Sequence, residues 1–416
     1  MIRNNAQLQE TFAQQMIPAP LGHLAEANSK TNGHVKVYVI DGLLDLTLSS
    51  HDLSAFDMRL AACNCLKAYF SGHAEVKAHF LSRAIDGYQS GQDESSNVLT
   101  VLLDPSRDVL ASDPYCLWFA AVIVFHLLYC NSTAKEKASA LTEGDSANGE
   151  EVVTCIQTLA AHLIACLRRD DDARVSVGYL MILLGWLYED VDAVNDFLNE
   201  GGNVQSLIQT VLDPIVVGGD IVQGLCALLL GVVYEFSTKD SPVPRATLHS
   251  ILLSRLDRDR YLDRLGKLRS HPLVRDFEVT PQKLDPSTPG LLPKVFFDPV
   301  FVDFLKDNFS RMSRAIDRAP ELEISIVANG VEKGISRDLV DSLRSQVEEK
   351  DRALQEAKDA AVSLGRQLGQ EQANSRRLQE SADLEEAKAK EANNERERKH
   401  EAELRYVFEI VNYDGR

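Results

Sequence analysis

Over most of the first 270 positions, apolar residues recur at helical spacing between short polar breaks, and almost nothing alternates with the period of two that marks a strand. This pattern predicts an all-α first part, with helices over roughly 35–49, 54–70, 73–86, 114–130, 151–168, 173–188, 203–212, 220–236 and 244–269. Asp113-Pro114 sets a cap residue before a proline whose missing N–H is harmless in a first turn, and Gly218-Gly219-Asp220 opens the next apolar helix. Several helices are apolar nearly all round, so other helices must cover each on more than one side. Stacked layers of helices follow.

Small residues recur at corresponding points of these helices, in Arg59-Leu-Ala-Ala-Cys-Asn-Cys-Leu66, Phe119-Ala-Ala-Val-Ile-Val124, Val177-Gly-Tyr-Leu-Met-Ile-Leu-Leu-Gly185 and Gln223-Gly-Leu-Cys-Ala-Leu-Leu-Leu-Gly231. Small side chains let neighbouring helices approach closely. Successive landmarks lie about 59, 58 and 46 residues apart, near the spacing of armadillo or HEAT units, with insertions such as Thr142–Glu150 in the longer gaps. An irregular α-solenoid fits better than a compact bundle.

After Arg269, the prolines of His271-Pro272, Thr280-Pro281, Asp285-Pro-Ser-Thr-Pro-Gly290 and Leu292-Pro293 forbid a continuous helix. Val295-Phe-Phe-Asp-Pro299 keeps aromatic anchors for packing back on the body. One more amphipathic helix, about 299–318, offers Phe301, Phe304, Leu305 and Ile316 for docking. From Ser336 to Arg405 the class changes: 14 basic and 17 acidic residues share 70 positions, and a strict 3-4 spacing runs from Val340 to Ala392. Val340, Leu343, Val347, Leu354, Leu364, Leu368 and Leu378 lead this stripe, which needs a partner helix to cover it. Lys350, Glu371 and Ser375 in the stripe, with Gly365 and Gly369 beside it, weaken its middle. The expected organisation is a helical repeat head over 1–270, a proline-punctuated tail with the last head helix over 271–318, a linker over 319–335, a coiled coil over 336–405 and a C-terminal end over 406–416.

Composition narrows the classes. The 416 residues hold 44 Lys+Arg against 62 Asp+Glu, a formal charge of −18, which argues against nucleic-acid binding and an electrostatic dock on anionic lipid. The seven cysteines (Cys63, Cys65, Cys116, Cys130, Cys155, Cys166, Cys226) mostly sit in apolar runs and read as small hydrophobes of a reducing compartment. The start lacks the apolar core of a signal peptide, and the run Cys116–Cys130 is shorter than a spanning helix requires.

The sequence carries no nucleophile elbow, phosphate loop, zinc-protease helix or dinucleotide fingerprint. No catalytic, cofactor or metal residue is assigned. His73 and His79 read as capping or solvated, and Cys63-x-Cys65 puts its thiols on opposite helix sides. Asp190–Asp196 lacks the sixth-position glycine and twelfth-position glutamate of a calcium loop and suits a helix start. Arg255, Arg258, Arg260, Arg264, Lys267 and Arg269 alternate with Asp257, Asp259 and Asp263, as on a surface helix with internal ion pairs; the functional alternative is a lipid or acidic-partner contact.

Val175-Ser-Val-Gly-Tyr-Leu-Met-Ile-Leu-Leu-Gly-Trp-Leu-Tyr188, Ala193-Val-Asn-Asp-Phe-Leu-Asn-Glu200 and Val222-Gln-Gly-Leu-Cys-Ala-Leu-Leu-Leu-Gly231 together resemble the head of the general vesicular transport factor family, the Uso-type vesicle tethers. The resemblance continues through Tyr261–Leu268 and Phe296–Phe301 to Arg314-Ala-Ile316, covering most of residues 1–318. It implies an armadillo-like α-solenoid followed by a coiled coil in a parallel homodimer. Such a protein is peripheral, at Golgi and transport-vesicle membranes on the cytoplasmic side, and works with a Rab-class small GTPase, SNAREs and golgins without enzymatic activity or cofactor. Gln223, Gly224 and Gly231 are the motif residues expected to serve close helix packing, with direct partner contact as the alternative. Against the family pattern the chain begins inside the head and carries no golgin-binding acidic tail, so a fragment or an incomplete gene model is expected. The competing function is another armadillo-type adaptor that binds a peptide or protein in a concave groove.

Overall fold

The structure is a computed structural model that describes residues 2–18, 36–48, 56–91, 96–144, 148–169, 171–214, 216, 218–279, 297–323, 326–327, 331–332 and 337–413. It divides into two units, Met1–Lys333 and Gly334–Arg416. The proline-rich stretch 280–296 lies outside the described residues, as do the side chains of Val340, Leu343 and Val347.

In the first unit the helices run α1 (Ala6–Ala13), α2 (Val39–Leu48), α3 (Phe56–Phe70), α4 (Ala74–Ser90), α5 (Val98–Leu103), α6 (Arg107–Ser112), α7 (Pro114–Leu128), α8 (Ser132–Ser139) and α9 (Cys155–Arg169). They continue as α10 (Ala173–Leu187), α11 (Val191–Asn199), α12 (Gly202–Leu212), α13 (Gly219–Phe236), α14 (Arg245–Ile251), α15 (Arg258–Ser270), α16 (Pro272–Arg275) and α17 (Pro299–Ala315). The long apolar helices α3, α7, α10 and α13 stand in a row, each against the next, with shorter helices on their flanks. They begin at Phe56, Pro114, Ala173 and Gly219, so 58, 59 and 46 residues apart.

Burial explains the sequence pattern: nearly every side chain of α7, α10 and α13 is covered, the all-round coverage that their composition demands. Close approach is built from glycine. A Cβ on Gly178 of α10 would lie 2.8 Å from Leu117 of α7, and one on Gly185 2.6 Å from Phe125. By length and composition α13, 18 residues with mean hydropathy 1.5, is able to cross a membrane; here it is the core helix of the row.

A repeated turn sets the spacing. After α3, α7 and α10 the chain enters the left-handed region at Gly72 (φ 70°), Cys130 (φ 55°) and Glu189 (φ 57°). The next residue in each case, His73, Asn131 or Asp190, caps the following helix by accepting the N–H three residues on. The left-handed conformation costs a non-glycine residue about 1 kcal/mol, held at Cys130 and Glu189 by the packed helices on either side.

Several expectations change. Residues 36–38 form a strand paired with Met16–Pro18, and Val153–Thr154 pairs with Thr142–Glu143, so the helices predicted from 35 and 151 start at Val39 and Cys155. The helix predicted over 244–269 is two: a π turn, Leu252–Leu256, leads to Asp257 at φ 65° before α15. The cause is a phase slip. Leu248, Leu252 and Leu256 bury at four-residue spacing, but Tyr261 follows after five, and a straight α-helix would carry it off the buried face. Asp113 precedes α7 but makes no side-chain cap bond, because its carboxylate is taken by buried Arg59 at 2.8 and 3.0 Å.

In the second unit α18 (Arg337–Tyr413) is one continuous helix of 77 residues. Leu354, Leu364, Leu368 and Leu378 are 55–70% exposed. The stripe is thus present on a single helix, with its leucines in water.

Candidate functional site

The motif on α13 builds one wall of the head. Gln223 is 4% exposed and its Nε2 donates to the carbonyls of Thr210 (3.0 Å) and Asp213 (2.6 Å), with Val211 at 3.5 Å. It thereby closes the C-terminal end of α12, whose last carbonyls have no partner within their own helix. Gln9 does the same for α3, reaching Tyr69 and Ser71 carbonyls at 2.8 Å, and Arg59 for α2. Gly224 faces α15, where a Cβ would come 2.5 Å from Leu268 Cβ and 3.1 Å from the Arg264 carbonyl. A Cβ on Gly231 would overlap the Tyr261 hydroxyl, which donates to the Met312 carbonyl at 2.8 Å. The structure brings all three against α12, α15 and α17, and none to the outer surface. Gln223→Leu strands the α12 carbonyls and lowers stability by about 1–3 kcal/mol, against a change within about 0.5 kcal/mol for exposed Gln209→Leu, readable as denaturant midpoints.

α17 is the second element of the site. It crosses the C-terminal ends of α3, α7, α10 and α13 in that order. At its start Asp298, fully buried, caps α17 by accepting the N–H of Val300 at 3.0 Å, and also accepts Lys67 Nζ at 2.7 Å and His126 Nε2–H at 3.0 Å. Burial pushes this carboxyl up, but the hydrogen bond and charge of His126 and Lys67 outweigh it and hold the group well below the usual carboxylate range. Next, Phe301 packs edge-on to Phe125, and Phe304 meets Tyr129 and Tyr188 with ring centroids 5.5 and 5.3 Å away. Further on, Arg311 donates to Glu235 (3.1 Å), Glu189 (3.0 Å) and the Tyr188 hydroxyl (3.0 Å), and Arg318 donates to the same Glu235 at 2.7 Å. Glu235 is fully buried. These cations lie at the C-terminal ends of α10 and α13, where the helix dipole favours positive charge.

Sequence reasoning named Phe301, Phe304, Leu305 and Ile316 as docking residues, and all four are buried. It missed Asp298, Lys67, His126, Glu235 and Arg311, whose partners lie far away in the chain. The available signal was Asp298-Pro299, the same cap-and-proline pair as Asp113-Pro114.

Chemistry elsewhere is sparse. Among the described residues, no three His, Cys, Asp or Glu side chains are placed to hold a metal ion. Burial pushes the thiols of Cys63, Cys155 and Cys166 up to about 12 and that of Cys116 to about 11, while Cys65 and Cys130 are exposed. His73 and Asp190 serve as helix caps. The basic residues near α15 are largely paired: Arg258 with Asp317, Arg264 with Asp220 and Lys267 with Asp263. An open cleft of about 620 Å³ is lined by Tyr88, Asp104 and Glu143, with the Tyr88 hydroxyl donating to the Glu143 carboxylate.

Residues 5–316 match a protein family described as Uso1/p115-like vesicle tethering protein, head region. The intracellular protein transport protein USO1 of Saccharomyces cerevisiae is 26% identical over 371 residues, covering 78% of this chain and 20% of the yeast protein. The general vesicular transport factor p115 of Rattus norvegicus is 26% identical over 271 residues, covering 64% of this chain and 27% of the rat protein. A crystal structure of Uso1 superposes with a TM-score of 0.64 at 26% identity, over 77% of this chain and 48% of that one. The chain therefore spans roughly a fifth to a quarter of the length of these curated relatives.

Proposed function

The chain belongs to the Uso1/p115-like vesicle-tethering family, and from that premise we propose that it is a tethering scaffold of ER-to-Golgi and intra-Golgi transport. In this reading it docks transport vesicles on Golgi membranes with a Rab-class GTPase and SNAREs, and golgins are further partners. It works peripherally on the cytoplasmic side and catalyses nothing. The observation that carries the proposal is the head match over residues 5–316 followed by the 77-residue helix α18 with its unpaired leucine stripe. In the proposed arrangement α18 pairs with a second copy as a coiled coil through Val340, Leu343, Val347, Leu354, Leu364, Leu368 and Leu378. Two heads on one rod then raise the effective concentration at a membrane that carries many copies of a weak partner.

Retention of the purified chain on Golgi Rab-class GTPases, loaded with a non-hydrolysable GTP analogue or with GDP, tests the proposal beside light scattering for mass. GTP-selective retention of a species of twice the 46.1 kDa chain mass is the expected result. Retention that ignores the nucleotide, or a mass of one chain, overturns it. The competing adaptor reading needs an open groove along the helix row. Against it stands α17, which already covers Phe125, Tyr129 and Tyr188 on that row.

A further inference from the structure

The chain leaves the head through Met312–Glu323, and this short stretch is held by six other residues of the head. Tyr261 Oη donates to the Met312 carbonyl (2.8 Å), His249 Nε2 to the Ile316 carbonyl (3.1 Å) and Tyr234 Oη to the Arg318 carbonyl (2.6 Å). Arg258 grips the Asp317 carboxylate with two bonds of 2.5 and 2.8 Å, and the Lys239 N–H donates to Glu323 at 2.5 Å. Arg318 ends on buried Glu235, so one residue is fixed through both its main chain and its side chain. The holding groups come from α13, the turn after it, α14 and α15.

Such a distribution exceeds what packing of a terminal helix needs. α17 is already seated by Phe301, Phe304, Leu305, Phe309 and Met312, all buried. The extra bonds fall on the segment through which a pull on the following chain reaches the head. Glu235 accepts Arg311 from α17 and Arg318 from the exit segment, so a pull on one is shared with the other. Inside the protein these charge-assisted bonds are stronger than surface pairs and little screened by salt.

We propose that Met312–Glu323 is a mechanical anchor that passes tension arriving through α18 into α13–α15, with Arg311 and Arg318, joined on buried Glu235, as its bolt. The tethering reading supplies the source of tension; the strength of the anchor belongs to the head itself. A pull peels the exit segment from its far end, meeting Glu323 first, then the doubly held Arg318 and the Asp317 pair, and only afterwards α17. The bolt therefore sets the force at which the head begins to open.

The test stretches the full chain between its two ends in an optical trap and follows amide exchange in the same protein. Arg318→Ala lowers the force of the first head transition and speeds exchange of the Asp317, Arg318 and Leu322 amides about tenfold at zero force, since it removes a bond to a charged, buried partner. Glu235→Gln lowers that force further, having weakened both arginine bonds. Arg275→Ala, a change in an exposed pair with neighbouring Asp276 outside the anchor, leaves force and exchange as in the parent chain. If Glu235→Gln does not fold, Arg318→Ala alone decides. A first transition at unchanged force, or one that starts at α1–α3, overturns the anchor. A chain that ignores the GTPase nucleotide yet keeps the Arg318-dependent force loses the tethering reading and retains the anchor.

Discussion

Asp298→Ala lowers the stability of the head by about 3–5 kcal/mol, because the substitution leaves the buried Lys67 ammonium without its countercharge. It also removes the cap of α17 and the acceptor of His126 Nε2–H. The denaturant midpoint falls accordingly. Exchanging Asp298→Asn together with Lys67→Met recovers much of the loss, since the pair of changes leaves no uncompensated buried charge. The pH dependence has a definite sign. The carboxyl is held below its ordinary value of 3.8 in the folded head, so the unfolded chain takes up the proton first as pH falls. The stabilisation is complete above that ordinary value and is lost in acid below it. In acid, below the ordinary carboxyl value, the gap between the parent chain and Asp298→Asn narrows; midpoints taken from pH 7 down to pH 3 read this directly.

Phe304→Ala produces a loss of similar size, about 3–5 kcal/mol, through a cavity that lies between three helices. The Phe304 ring, 1% exposed, meets Phe125, Tyr129, Tyr188 and Phe301, so its removal opens contacts to α7 and α10 together. Exchange of the α17 amides speeds before that of α10 or α13, whereas Val300→Ala, at a residue 37% exposed on the first turn of α17, shifts the midpoint by less than about 0.5 kcal/mol. Equal effects of the two substitutions would mean that α17 does not hold the row through its aromatic face.

The helix row was legible because α7, α10 and α13 carry too many apolar residues for one amphipathic face, and the small residues at fixed intervals mark where neighbours meet. The aromatic anchors of α17 were legible for the same reason. Short helices were not: α8 presents Ala134 and Ala138 as its buried apolar face, too weak a signal in a window of eight residues. The left-handed turns at Cys130 and Glu189 carry no glycine to betray them, and only the cap residue that follows shows in sequence. Most of the site was hidden for a different reason. Lys67 and Asp298 are 231 positions apart, and nothing local to either tells that a lysine on an apolar helix will be paired by an aspartate beyond a proline-rich stretch. The α18 stripe was plain in the sequence; its exposed leucines are what make pairing with a second copy worth measuring.

The strap formed by α17 has a consequence for biosynthesis. In stacked repeats each unit contacts only its neighbours, so that folding can propagate from one unit to the next as they appear. Here the aromatic ends of α7 and α10, and the side chains of Lys67 and His126, wait for residues 298–318, the last of the head to leave the ribosome. At roughly 5–20 residues per second, the interval between synthesis of α7 and arrival of Phe304 lasts on the order of ten seconds or longer. Throughout that interval Phe125, Tyr129 and Tyr188 lack the cover that α17 gives them in the finished head, an apolar ridge open to misassociation until translation passes Arg318.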